Sequence, residues 1–285
     1  MPGPLLAVDA PSLLYRAFYA LPKTITDDKG TPVNALLGVS NLVLQAVEKH
    51  SPRAVVLCFG EEAAHYRVEL YPTYHADRID MPEELVPQWE DAKAFFEAFG
   101  WVVLRHETLE ADDLLGALAE AEVAAGGQAL LFTGDRDMFQ CVGDSVTVLW
   151  PAGKGETEPI GPDEVRGRYG VRPDQVPDFI ALRGDPSDGL PGAKGIGEKT
   201  ARDLLREHGT LDALLALPRG LTPRVYGSLS EQADELRAFR AIATLQPIDL
   251  DAPADARLDP ERAAQAARER GMNRLAERLN AWSTG

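Results

Sequence analysis

The amino-acid sequence predicts an α/β fold: a mainly parallel central sheet flanked by helices, with a helical region after it. Up to about residue 160, short β-rich apolar runs alternate with stretches whose apolar residues recur at helical spacing. Beyond that point the β-rich runs stop, and helical segments follow one another through Gly/Pro turns. A third observation concerns chemistry. Clusters of carboxylates fall where apolar runs end or helices begin, and in parallel sheets that edge is where ligands bind.

Leu5–Val8, Arg53–Phe59, Trp101–Leu104, Ala129–Phe132 and Val146–Trp150 read as buried strands, since each is a short apolar run bounded by turn or polar residues. Between them, Ala35–Glu48, Glu84–Phe99 and Asp112–Ala125 carry apolar residues at helical spacing. Gly153–Pro159 reads as a turn-rich junction. Helical segments follow near Pro162–Tyr169, Pro173–Leu182, Lys199–Glu207 and Leu211–Leu215. From Ser228 onward two or three amphipathic helices are expected, one of them Pro260–Arg270. There Asp259 is the N-cap, Pro260 takes the first helical position and Gly271 stops the helix. The expected division is an α/β core over residues 1–160 and a helical region over 161–285.

With 285 residues, 45% apolar and 26% charged, the chain has the composition of a globular protein. No apolar run reaches the roughly 18 residues of a membrane span, and MPGPLLAVDA lacks the basic start and long apolar stretch of a signal peptide. Cys58 and Cys141, the only cysteines, form no CxxC pair, which argues against structural zinc and points to a reducing cytoplasm. The net charge of −16 counts against a nucleic-acid partner at face value, because nonspecific DNA binding is mostly phosphate neutralisation. Eight of the acids, however, fall in four clusters: Asp9; Glu110, Asp112 and Asp113; Asp135 and Asp137; Asp185 and Asp188.

Each cluster has a bland explanation. A strand-end Asp9 serves as a cap, and acids at 110–113 suit a helix N-terminus. Asp135 and Asp137 fit a solvated loop paired with Arg136, and Asp185-Pro-Ser-Asp188 fits a turn. The coincidence of four such clusters is harder to dismiss. Two like charges 4 Å apart repel by roughly 4 kcal/mol at an effective dielectric near 20. Acids gathered in one place therefore call for divalent cations, and hard oxygen ligands select Mg²⁺ or Mn²⁺. On helical geometry Glu110 and Asp113 share a face, while Asp112 points roughly 100° away, toward a second cation or an outer position.

Residues 190–206, LPGAKGIGEKTARDLLR, place Gly192, Gly195 and Gly197 before a helix carrying Lys199 and Arg202. Glycines admit a phosphate close to backbone N–H groups, and a helix N-terminus favours an anion. Glu198 breaks the spacing of a nucleotide P-loop, and no clear strand leads in. Two short helices joined by a Gly-containing hairpin fit better, a module that grips a DNA backbone without reading sequence. The alternative is a helix-turn-helix used only for packing.

Together these motifs resemble the 5′ nucleases: flap endonucleases and the 5′-nuclease domain of bacterial DNA polymerase I. The resemblance runs in order through VDAPSLLYRAFYALP, HYRVELYPTYHADR, LEADD, FTGDRDMFQ, YGVRPDQVPDFIALRGD and GDPSDGLPGAKGIGEKTA. It implies a 5′-3′ exonuclease and flap endonuclease that acts on DNA in replication and repair. The eight acids would hold two or more Mg²⁺ or Mn²⁺ ions, directly or from an outer position. It also implies an arch over residues 65–95 that passes single-stranded 5′ ends and carries Tyr74 and His75. Residues 190–206 would be a helix-hairpin-helix with K⁺ at its DNA contact. Arg67 and Arg78 would steer the scissile phosphate; Arg16, Lys194, Gly195, Gly197 and Lys199 would hold duplex. By the same likeness the chain is expected to be the stand-alone bacterial form, a monomer in the cytoplasm near the nucleoid, with no membrane partner.

Two departures stand out. Where the family ends its second strand with Phe-Asp, this chain reads Phe59-Gly60-Glu61, so an acid is missing unless Glu61 supplies it. His75 stands where the family's arch has Lys, and the stretch Asp80–Asp91 is acidic. These keep open a DNA-binding protein with weakened catalysis. A PIN-like ribonuclease, which shares an acidic α/β core, is the other alternative.

Overall fold

The computed structural model describes residues 3–76, 78–153 and 155–282. Its centre is a six-stranded sheet in the order β3-β2-β1-β4-β5-β6. The strands are β1 (Leu5–Asp9), β2 (Ala54–Phe59), β3 (Val102–Arg105), β4 (Ala129–Phe132), β5 (Val146–Gly153) and β6 (Glu156–Ile160). The first five pair in parallel. The sixth corrects the sequence reading: within Gly153–Pro159, read as a turn-rich junction and with Lys154 outside the described residues, Gly153 ends β5 and Glu156 begins an antiparallel edge strand paired with it. Its polar sequence ETEPI suits an edge exposed to water, and that polarity hid it from a search for apolar runs.

β1 shows why the central strands read as unbroken apolar runs. All five of its residues are buried, and alternate side chains enter opposite cores. Leu5 and Ala7 face a core shared with α5 (Ala111–Ala124) and the helices α6 (Pro162–Tyr169) to α11 (Ala233–Ala243). Between these last two come α7 (Val176–Arg183), α8 (Glu198–His208), α9 (Leu211–Ala216) and α10 (Pro223–Glu231). Leu6 and Val8 face the other core, with α1 (Ala10–Ala20), α2 (Asn34–His50) and α4 (Val86–Glu97). α12 (Pro260–Glu269) and α13 (Asn273–Trp282) also pack into this second core. The segment linking α11 to α12 crosses the sheet edge, where Ala256 N donates to Arg53 O at 2.9 Å and Asp259 N to Phe99 O at 2.9 Å. The described part of the helical region, residues 161–282, is thus split between two faces, and its last two helices complete the core that α1 opens.

The segment expected to arch is a short helix, α3 (His65–Leu70), then turns through residue 76, and a non-helical stretch from 78 to the start of α4. It does not extend to 95, because Leu85, Ala92, Phe95 and Phe96 are buried in the second core. What stays exposed over the cleft is the stretch around Arg78, Ile79 and Asp80.

Candidate metal centre and cleft

The strand order reverses between β1 and β4, so the loops after these two strands diverge and leave a crevice at the carboxyl edge. Asp9 ends β1 there. Its Oδ1 caps α1 by accepting from Ser12 N at 3.0 Å, and its Oδ2 accepts from the Thr133 hydroxyl at 2.6 Å. Thr133 directly follows β4 and also accepts from Asp135 N at 3.0 Å, so one hydroxyl ties the two loops together. Burial raises the pKa of Asp9 against the opposing pull of these hydrogen bonds.

Three carboxylates converge beside it. One oxygen from each of Asp112, Asp135 and Asp137 lies within 4.8 Å of the others. Asp112 comes from the first turn of α5, Asp135 from the loop after β4, and Asp137 from the 3₁₀ turn Asp137–Cys141. Burial and then the neighbouring carboxylates push all three pKa values up, Asp135 to about 6 and the other two well above the usual range. Asp112 Oδ1 and Asp137 Oδ1 are buried with no hydrogen-bond partner. Orphaned acceptors held together by acids alone fit a hard divalent cation, which supplies the missing charge and the missing ligand contact at once. Among the described residues no ion pair joins Arg136 to Asp135 or Asp137, so the solvated-loop reading fails. Asp188 is close enough to raise both of these acids further.

The structure reverses the sequence assignment within α5. Asp113 is wholly buried and fully engaged: Oδ1 accepts from Arg67 Nη2 at 2.9 Å and Gln246 N at 2.9 Å, and Oδ2 from Glu110 N at 3.2 Å. Glu110 borders the cleft, yet Oε1 accepts from Ala64 N at 2.7 Å, while Oε2 takes the Tyr74 hydroxyl at 3.1 Å and Arg67 Nη1 at 2.7 Å. Asp112, expected to point away, is the residue that reaches Asp135 and Asp137. Helical spacing identified the shared face correctly, but that face points into the protein.

Arg67 is likewise corrected. It is 2% exposed, and its third contact is Nε to Ile242 O at 3.0 Å, so its guanidinium is committed to buried partners and not to a phosphate. Tyr74 is buried and donates to Glu110. His75 is 9% exposed; Nδ1 donates to Glu62 O at 2.7 Å and Nε2 lies 3.0 Å from Asp188 Oδ1. Neither is free to grip DNA. Asp185 is held inside its own turn by Ser187 and Arg183. Gly60 cannot be replaced by any larger residue without a clash, because a Cβ there would lie 2.4–2.6 Å from the backbone of residues 109–111. Glu61 is exposed on the cleft wall.

The cleft itself has a volume of about 400 Å³ and runs from Asp9, Asp112 and Asp135 to Tyr15, Tyr19 and Trp89. Arg78 stands on its rim, donating through Nη1 to Glu62 O at 3.0 Å. Arg16 is exposed beside Gly134, near Ser12. Away from the cleft, α7 and α8 are joined by a loop in which Gly192 and Gly195 adopt φ of 68° and 76°. Gly192 packs against Gly184 N, where a Cβ would come within 2.3 Å. Lys194 and Lys199 are exposed with no ion pair among the described residues. Gly197 begins α8 without a side-chain cap, which leaves its first N–H groups to an outside acceptor. Sequence reasoning missed Thr133 and Arg224. Thr133 was legible as the hydroxyl in FTGDRD; Arg224 reaches the Gly195 turn from a helix far along the chain and gave no signal.

Two family models divide this chain between them: a 5′-3′ exonuclease N-terminal resolvase-like domain over residues 4–170, and a 5′-3′ exonuclease C-terminal SAM fold over 171–269. The chain belongs to the 5′-3′ exonuclease family. A 5′-3′ exonuclease of Mycobacterium tuberculosis is 33% identical over 98% of this chain and 97% of its own length. The thermostable DNA polymerase I of Thermus thermophilus is 38% identical over 87% of this chain, which spans 30% of that polymerase. The T5 D15 protein co-crystallised with metal ions superposes with a TM-score of 0.72 at 16% identity over 96% of each chain. The catalytic core of Rad2 in complex with DNA substrate does so with 0.64 at 14% identity, over 98% of this chain and 91% of that one. The last two establish the shared fold. Among the described residues no helix is long and apolar enough to cross a membrane.

Proposed function

We propose that this 5′-3′ exonuclease-family chain is a structure-specific 5′ nuclease that hydrolyses DNA phosphodiesters at 5′ ends and flap junctions. The observation that carries the reading is the convergence of Asp112, Asp135 and Asp137 with orphaned buried oxygens at the sheet's carboxyl edge. These three would hold Mg²⁺ or Mn²⁺, with Asp188 beside them and Asp9 fixing the loop that carries Asp135. Bound there, such cations polarise a phosphodiester and make water a nucleophile near neutral pH. The chain's own side chains do the rest. Arg78 at the rim and Arg16 beside Gly134 orient the phosphate chain and offset charge that builds up on its oxygens. Tyr15 and Tyr19 offer ring faces to unstacked bases on the cleft wall. Lys194, Lys199 and the uncapped start of α8 hold duplex by its backbone, with K⁺ at the hairpin belonging to the same reading. The protein acts as a monomer in the cytoplasm.

The test uses a 5′-flap DNA and an RNA flap of the same sequence, each with Mg²⁺, Mn²⁺ or Ca²⁺. Cleavage of the DNA flap with Mg²⁺ or Mn²⁺ is expected, with loss of turnover but near-parent Ca²⁺-supported binding in Asp135→Asn and Asp137→Asn. Binding without cleavage by the parent would leave a DNA-binding protein, and preference for the RNA flap a PIN-like ribonuclease.

A further inference from the structure

α11 ends at Ala243, so the carbonyls of its last turn have no partner within the helix. Two side chains from the site region take the last two of them, those of Ile242 and Ala243. Arg67 Nε donates to Ile242 O at 3.0 Å, and Gln140 Nε2 donates to Ala243 O at 2.8 Å. The same Gln140 nitrogen donates to the carbonyl of Asp137 at 2.9 Å, while Oε1 accepts from Leu245 N at 3.3 Å. One residue further on, Gln246 N donates to Asp113 Oδ1 at 2.9 Å. Residues 242–246 thus hold the Arg67–Glu110–Asp113 group on one side and the turn carrying Asp137 on the other.

Asp137 depends on this arrangement. Its Oδ1 has no hydrogen-bond partner, so the main chain of its 3₁₀ turn determines where that oxygen lies. Gln140 is the side chain that ties this main chain to the end of α11. We infer that Gln140 is a positioning residue for the metal centre, fixing Asp137 against Asp112 and Asp135 through α11. The inference rests on the reading of these acids as cation ligands. Side chains that orient metal ligands from outside are worth roughly 10- to 100-fold in metal affinity.

The experiment titrates Mn²⁺ into the full chain by calorimetry without DNA, alongside thermal melting and the Mg²⁺ dependence of flap cleavage. Gln140→Met keeps the volume and removes all three hydrogen bonds. Gln140→Glu keeps the acceptor for Leu245 N and removes both donations, which provides a second variant should the first fail to fold. Both are expected to weaken Mn²⁺ binding by roughly 10- to 100-fold and to raise the Mg²⁺ concentration for half-maximal cleavage in parallel. Gln175→Met is the control. Gln175 is a buried amide that likewise donates to helix-end carbonyls, those of Leu205 at 3.2 Å and Gly209 at 2.7 Å, and among the described residues none of its hydrogen bonds reaches the acids or the turn that carries Asp137. It should lower the melting temperature without changing Mn²⁺ affinity. Parent-like Mn²⁺ binding in both Gln140 variants, or an equal loss in Gln175→Met, overturns the inference. Asp137→Asn separates the two levels: if it binds Mn²⁺ as the parent does, the metal reading itself falls.

Discussion

Gly60 decides a question that the sequence left open. The family's acid at this position is missing: if Glu61 replaces it, Glu61→Gln should cost activity on the scale of a lost ligand, and if the site works one acid short, the sequence alone leads one to expect that Gly60→Asp raises Mg²⁺ affinity. The structure reverses that expectation. A Cβ at residue 60 would lie 2.4 Å from Leu109 O and 2.6 Å from Ala111 N, and backbone cannot move aside as a side-chain tip can. Room could come only from shifting the start of α5, which carries Glu110 and Asp112. Gly60→Asp is therefore expected to lower the melting temperature and to raise the Mg²⁺ requirement, both readable in one set of melting and cleavage titrations. A gain in Mg²⁺ affinity with unchanged melting would show that the start of α5 yields more easily than its packing suggests. Glu61→Gln should stay within about twofold of the parent, since an exposed wall residue is not one of the converging acids; the ligand-shell loss it is compared with is ~10–100-fold.

At the scale of elements, Arg67 joins three of them: it lies on α3, pairs with the acids that open α5 and binds the last turn of α11. Breaking a buried charge group by removing one partner costs roughly 3–5 kcal/mol, because the remaining charges stay buried without compensation. Arg67→Ala is expected to lose stability on that scale in urea unfolding; a loss below about 1 kcal/mol, the size of a surface pair, would mean that the group is not buried in solution. The hairpin between α7 and α8 predicts affinity instead. Lys199→Ala and Lys194→Ala/Lys199→Ala should weaken duplex binding and reduce the salt slope by about one unit per lost phosphate contact. An unchanged slope on flap DNA would make the hairpin a packing device. Elements were legible in proportion to their apolar contrast. The five parallel strands and the capped helix after Asp259 could be read directly, the latter confirmed by Asp259 Oδ1 accepting from Arg262 N at 3.1 Å. β6 was not, because a polar edge strand has no apolar run. The roles of Asp112 and Asp113 could not be read either: spacing gives the angle between two side chains but not which one faces inward.

For the whole molecule, the sequence shows how many acids there are but not how the fold divides them. Of the eight, three converge, Asp188 stands beside them, and Glu110 and Asp113 share one arginine that the sequence suggested for phosphate contact. This division makes the stability of the entire chain depend on pH in a direction that cation binding changes. Burial, with Asp188 and Asp9 nearby, holds Asp135 at about 6 in the fold, above the 3.8 of an ordinary aspartate. Asp112 and Asp137 are displaced further in the same direction. A group whose folded pKa is raised keeps its proton in the fold after the unfolded chain has released it, so its contribution to stability falls as pH rises through that interval. Mg²⁺ replaces those protons. The rise in melting temperature on adding Mg²⁺ is therefore expected to be small at pH 5 and to grow through pH 6 and beyond. Taking the difference with and without Mg²⁺ matters, because carboxylates held low by a basic partner, such as Asp212 with Arg240, work in the opposite direction and cancel from it. A Mg²⁺-induced rise that is constant from pH 5 to 8 would show that the cation displaces no proton from these acids, either because they are ionised before it arrives or because it binds elsewhere, and would overturn this account of the pH dependence.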